Sequence, residues 1–403
     1  MRRRNRQGFV YALSLLVMFF LTLMGTSILM RSVSEADSSE RFGYQSAALH
    51  LADAGVDQAA RNLRTPTDLT DDITTGTLPT GTFTLDAAVD LGAQTWKVVS
   101  HGASVQEPTR NRNIEVVFSL LPQSVFQYAL FADLALTAGG SANTDSYDSR
   151  LGVYGACLSG CGGGSPVNNV GRNGDIGTNG TTAGSVALSG GSIFVDGQIA
   201  VGPGVSDPAS IVTGYDPAMI TGGTSPPSDT QDVVAQSSTF PMPNVTVPEG
   251  LTCSDRVVNG SETVTLTAGT YCYHNLTIQG NGTLTASGSA KVYLTGELSA
   301  QGNSSVGVPT DPTKMVFLMT STSEATIEEG TITGSNKFYG AIYGPQATIN
   351  ITGNAEVYGA IIADRVNLTG SAEIHYDEAV NTITEVSNLY QTSVVYWQEL
   401  DGS

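Results

Sequence analysis

The sequence predicts a mainly β protein led by one long N-terminal α-helix, which passes into a small antiparallel sheet and then into a right-handed β-helix-like solenoid. Three observations carry this expectation. Phe9 to Met30 is an apolar run without charge or proline, and no proline follows before Pro66. From Phe126 onward the composition shifts to Gly, Ser, Thr and Asn, with short strand candidates between small turns. Near its end the chain repeats itself: Phe338-Tyr-Gly-Ala-Ile342 returns as Val357-Tyr-Gly-Ala-Ile361, and Ile349-Asn-Ile-Thr-Gly353 as Val366-Asn-Leu-Thr-Gly370.

The helix comes first. At ~1.5 Å per residue, Phe9–Met30 spans about 33 Å, close to the ~30 Å apolar core of a bilayer. Arg2, Arg3, Arg4 and Arg6 precede it and Arg31 alone follows directly, which places the N-terminus in the cytoplasm and the body outside. The run is too long for a cleaved secretory signal and ends without an A-x-A-like site. Beyond it, Leu49, Ala52, Val56, Ala59 and Leu63 recur at spacings of three and four, which marks one helix face for burial. Gly43 and Gly55 are weak points in that helix. Unbroken from residue 9 to 64, it would reach about 84 Å.

Residues 65–80 read as a loop rich in Thr, Asp, Pro and Gly. Alternating apolar and polar residues then mark strands over Thr82–Val89, Thr95–Ser100 and Ile114–Leu120, with Phe83, Leu85, Trp96 and Val98 suited to cover the rear half of the helix. Residues 65–122 thus form a small β region, and residues 123–385 the solenoid. The repeats lie 17 and 19 residues apart. One coil of that length cannot bury its own apolar side, so coils must stack. A β-sandwich is the competing architecture, but its strands would lack this self-similarity. Residues 203–248 hold 8 of the 16 prolines and are expected to leave the stack as an extended excursion. Residues 386–403 read as a C-terminal tail.

Composition excludes several functions. The net charge is -19, and from residue 65 onward 6 Arg and 4 Lys face 32 Asp and Glu. Nucleic acid needs basic patches, so it is no partner here. There is no G-x-S-x-G, H-E-x-x-H or P-loop, and no acid pair repeats in register along the coils, so no enzyme is expected.

Four cysteines in an exported chain predict two disulfides, with nearest-neighbour pairing, Cys157–Cys161 and Cys253–Cys272, preferred among three connectivities. Their spacing is a poor match to zinc patterns. No cofactor is expected; weak calcium binding is the one exception that plentiful acidic oxygens leave open. Asp145 and Asp148 lack the spacing of a calcium loop, and His375-Tyr-Asp-Glu378 is read as capping the last coil. Asn-x-Ser/Thr triplets at Asn244, Asn275, Asn281, Asn350 and Asn367 are read as solenoid turns leading into strands rather than as glycan acceptors.

The basic leader ending in Gly8, the following Phe9, the apolar stretch, and ALHLADAGVDQAARNL from Ala48 to Leu63 resemble the PilX-type minor pilins of type IV pili. The segments from Phe126, Gly269 and Phe338 are similar to the β domain often fused to such leaders, a domain without a defined activity. The resemblance implies a leader over residues 1–8, a pilin-like helix over 9–64, cleavage between Gly8 and Phe9 by a prepilin peptidase, and methylation of the new amino terminus. It also implies storage in the inner membrane, then a place at the pilus or cell surface among other pilin subunits.

Leu13 stands where major pilins carry a glutamate, a loss shared with PilX-type proteins and with the tip pseudopilin of type II secretion. The expected function is therefore a non-catalytic minor subunit, at the tip or initiating assembly. Alternatives are a pilin-anchored adhesin that contacts a surface or glycan receptor, and a type II secretion tip pseudopilin.

Overall fold

The computed structural model describes residues 5–64, 72–108, 111–161, 166–190, 192–216, 220, 232–320, 329–384 and 389–400, with the side chains of residues 5–10, 12 and 329 excepted. The chain divides into two compact units, residues 1–121 with 390–403, and residues 122–389.

The first unit is built on helix α1, Asn5–Asn62. Its 58 residues run without a break through Gly43 and Gly55, about 87 Å at ~1.5 Å per residue. At Gly55, packing against Ser100, Leu85 and Phe83 offsets the cost of about 1 kcal/mol for a helical glycine. Five strands follow: β1, Thr75–Leu78; β2, Gly81–Leu85; β3, Val89–Gly92; β4, Thr95–Ser104; and β5, Arg112–Pro122. They form an antiparallel sheet in the order β1-β2-β4-β5, with β3 paired to β4. β4 and β5 alternate strictly: Val98, Ile114, Val116, Phe118 and Leu120 turn inward onto Ala52, Val56, Ala59 and Leu63 of the helix.

Residues 386–403 were expected as a tail. Instead Tyr390–Leu400 is a strand that joins β5 and completes this sheet. Tyr390 N donates to Arg64 O at 2.8 Å, and Arg112 pairs with Glu399 at 2.7 Å. The run carries β-branched and aromatic residues at Thr392, Val394, Val395, Tyr396 and Trp397, which suit a strand once a partner edge is offered.

The second unit is a stack of short parallel strands whose pairings fall into three columns, one per face. One column runs through residues 290–294, 315–319, 341–343, 360–363 and 130–132. A second runs through 276–278, 298–300, 330–332, 349–351 and 366–368. The third runs through 305–307, 337–339, 356–359, 373–377 and 143–147. Inward side chains such as Leu294, Phe317, Ile342, Ile351, Phe338, Val357 and Ile374 are buried almost completely in one continuous core, each worth about 1.5–3 kcal/mol of burial.

The repeat sets the register directly. Phe338 pairs with Val357 and Ile349 with Val366; the offset falls from 19 to 17 at a register shift between Gly344 and Thr348. Between residues 254 and 377 each rung turns one corner on a glycine in the left-handed region, from Gly260 (φ 67°) through Gly302 (φ 78°) to Gly370 (φ 88°), a conformation with no steric cost for glycine.

Rung order departs from chain order. The strand Leu130–Gly139 opens the unit, yet it lies between Glu356–Gly370 on one side and Ile176–Thr178 with Val186–Ser189 on the other. From there the chain steps outward to Val233–Ala235. It resumes at the opposite end with Ser254–Val258 and winds back to Glu373–Asp377, which pairs with Asn143–Tyr147.

The proline-rich stretch 203–248 is not one excursion. Val212–Thr213 and Val233–Ala235 are rungs of the stack; residues 217–219 and 221–231 lie outside the described set. Residues 236–248 form a strap along the outside of the first column. Phe240 exchanges hydrogen bonds with Asn179, and the Tyr343 hydroxyl donates to Pro243 O at 2.6 Å. Proline has no N–H for a ladder, so a strap laid over a finished sheet suits it.

Candidate functional site

The front of α1 has no protein around it. Leu15, Met18, Phe19, Leu21, Met24, Ile28 and Met30 are each more than half exposed, and the helix carries a stretch of mean hydropathy 2.2. It is a candidate membrane anchor. Three of its hydroxyls are satisfied within the helix: Ser14 donates to Tyr11 O at 2.9 Å, Thr22 to Met18 O at 3.0 Å, and Thr26 to Thr22 O at 3.0 Å. No water is needed to solvate these groups, which is what an apolar medium demands. Charge returns at Arg31, paired to Glu35 at 3.0 Å.

Leu13 lies on this surface, half exposed, where a carboxylate would be costly in an apolar setting. Gly8 and Phe9 fall within the helix; their side chains lie outside the described residues.

The rear of the same helix is seated by small residues. A Cβ on Gly102 would stand 2.0 Å from Ala48 O and 2.4 Å from Ala52 N. Ser100 donates its hydroxyl to Ala52 O at 2.7 Å. A side chain at Gly55 would collide with Ser100 Oγ, at 2.1 Å. The sheet therefore meets the helix backbone directly. The front half is bare and apolar, and the back half is held closely against the sheet.

The other residues singled out in the sequence fall in the second unit. Asp145 and His375 come together in neighbouring rungs, with His375 Nδ1 2.6 Å from Asp145 Oδ1. The pair is roofed: Tyr154 lies over the imidazole at 3.9 Å between ring centroids, and its hydroxyl donates to Asp145 Oδ2 at 2.5 Å. Tyr358 packs beside the imidazole at 4.7 Å, meets Tyr154 edge-on at 5.8 Å, and stacks in turn on Tyr339 at 4.6 Å. With His375 only 5% exposed, this is a closed aromatic ladder. Sequence reasoning missed Tyr154, although the offset-19 repeat already aligned Tyr339 with Tyr358.

Asp148 is bound bidentately by Arg150, at 2.8 and 2.7 Å, which holds its carboxyl below the usual range. Asp377 is fully buried, and burial raises its carboxyl. Its Oδ1 accepts from Ser149 N and Ala379 N, at 2.9 and 3.1 Å. One aspartate thus fixes two short helical turns, Ser149–Leu151 and Glu378–Thr382. Among the described residues, no three His, Cys, Asp or Glu converge to hold a metal. Cys157 is bonded to Cys161, with Cα atoms 5.9 Å apart, and Cys253 to Cys272, at 4.6 Å.

Residues 275–383 match a family model described as a domain of unknown function, DUF7305. No curated protein matches the chain. Among solved structures, the chain is similar to the competence-associated pilin ComZ from Thermus thermophilus. That likeness has 12% identity and a TM-score of 0.30, covering 89% of this chain and 97% of ComZ. It is also similar to the DUF3494 domain of ice-binding protein 1 from Shewanella frigidimarina, with 14% identity, a TM-score of 0.29, and coverage of 64% and 99%. A glycosylated ice-binding protein from an Arctic yeast gives 13%, 0.30, and 64% and 94%. Scores this low do not establish a common fold or role.

Proposed function

We propose that this chain is a non-catalytic minor subunit of a type IV pilin-like assembly, placed at the tip or initiating the fibre. In this reading the helix is held in the inner membrane with its N-terminus in the cytoplasm. A prepilin peptidase cuts between Gly8 and Phe9, the new amino terminus is methylated, and the bare apolar face then exchanges lipid for the helices of neighbouring subunits. The observation that carries the reading is α1 itself: one unbroken helix, exposed and apolar in front, closely seated on a small sheet behind. Membrane and helix bundle offer that front half equivalent solvents, so transfer between them costs little apolar burial.

Leu13 supports a minor role. A major subunit uses an acid at that place to pair with a neighbour's amino terminus, and a leucine offers no such pairing. A second unit of 268 residues, Pro122–Leu389, is bulky to repeat along a thin fibre. Immunogold labelling of the second unit on purified pili is expected to mark ends or sparse points. Even labelling at the density of the major subunit would contradict the tip or initiating role.

A further inference from the structure

The sheet of the first unit has two unlike margins. One ends on β1, a strand of 4 residues, and short edges of this kind discourage further pairing. The other ends on Tyr390–Leu400, a strand of 11 residues that pairs with β5 along one side. Among the described residues no strand pairs with its other side. That side presents a row of backbone N–H and C=O groups for another strand to take up.

The side chains of this strand do not guard the edge. Residues 390–400 contain no Lys, Arg, Pro or Gly, the usual guards of an open edge, and Glu399 is their single charge. That charge is already matched by Arg112, at 2.7 Å. Successive large apolar residues lie open at the centre: Val394 is 55% exposed, Val395 63%, Tyr396 45% and Trp397 47%. Neighbouring residues of a strand point to opposite faces, so both faces are bare beside the free edge. β4 and β5 bury one face on the helix; the centre of the terminal strand buries neither.

We infer that this edge takes up an extended strand from a different subunit of the assembly, an uncharged segment of β-branched and aromatic residues. Backbone pairing supplies the attachment, and the open Val394, Val395, Tyr396 and Trp397 supply apolar cross-strand neighbours on both faces. With Glu399 matched by Arg112, the edge offers a charged strand no counter-ion, and covering an unmatched charge is costly. That the partner is a different subunit and not a second copy rests on the pilin-like reading. Two copies joined along this same edge would pair antiparallel, about a twofold axis perpendicular to the sheet. α1 lies along that sheet, so the axis would turn the second helix end for end. The two apolar front halves could not then enter one membrane in one orientation. At its far margin a copy offers only the short β1.

The test uses the full chain in detergent and, as probe, a fluorescein-labelled peptide of residues 390–400. The peptide carries no helix, so nothing limits the direction in which it pairs. Fluorescence anisotropy should show saturable binding. At saturation, amides of residues 390–400 in the protein should gain about tenfold in hydrogen-exchange protection. The same peptide N-methylated at residues 393–397 keeps its side chains but loses its central donors, and should bind about tenfold more weakly. Sedimentation velocity of the chain alone should show no dimer that the peptide dissociates. Absence of peptide binding, or equal binding of the N-methylated form, would overturn the inference. So would a fall in protection over residues 390–400, the mark of a peptide that displaces the native strand. A dimer dissolved by the peptide would give the edge to a second copy instead and overturn the choice of partner. None of these outcomes bears on cleavage between Gly8 and Phe9, which tests the pilin-like reading separately.

Discussion

Gly359→Ala is expected to open the middle of the solenoid. Gly359 lies directly opposite Gly340 in the next rung, within the repeated Tyr-Gly-Ala-Ile segment. A Cβ there would stand 1.8 Å from Gly340 O, a backbone atom that cannot swing away, and the residue has φ 149°, where side chains are strained. Both neighbours must shift, and the shift is passed to Val357 and Ile361, which are fully buried in the core. We expect a loss of at least about 3 kcal/mol, the range of severe core and backbone lesions. By hydrogen exchange that is about a hundredfold loss of amide protection across residues 337–377. Gly204→Ala is the control: φ is 79°, but nothing lies within 4 Å of the new Cβ, so about 1 kcal/mol is expected. Equal losses in both variants would show that rung spacing is not what the repeat glycines protect.

Gly102→Ala is expected to unseat the helix from its sheet. The added methyl would lie 2.0 Å from Ala48 O and 2.4 Å from Ala52 N, both backbone atoms of α1. The helix would have to lift, breaking the Ser100–Ala52 bond of 2.7 Å and exposing Leu51, Val56, Val98 and Phe118 to water. Partial loss of that burial is worth about 3 kcal/mol or more, at about 25 cal/mol per Å². Amides of residues 48–63 and of β4 should lose about two decades of exchange protection, while residues 337–377 keep theirs. Full protection of the helix in Gly102→Ala would mean that the contact tolerates a wider gap than its geometry implies.

These two glycines mark what was legible in the sequence. The helix was readable because its signals are local: charge-free length in front, then Leu49 to Leu63 at three- and four-residue spacing. The solenoid register was readable because residues 338–342 and 357–361 are near copies, and identical side chains stack on neighbouring rungs. Rung order was less visible. Leu130-Phe-Ala132 pairs with Ile361-Ile-Ala363, and an aspartate follows each; that short likeness is the one trace that the first strand inserts next to the last coil. Tyr390–Leu400 read as a tail because a lone alternating strand has no pattern until β5 offers an edge. The cluster of Tyr154 over Asp145 and His375 had no sequence signature, since residues 145 and 375 meet only through the inverted rung order.

The account rests most on the amino terminus. Intact mass and N-terminal sequencing of the full chain, co-expressed with its prepilin peptidase, should give a protein that begins at Phe9 and carries one added methyl group. A chain that still begins at Met1 would contradict the pilin-like assignment and leave a membrane-anchored surface protein.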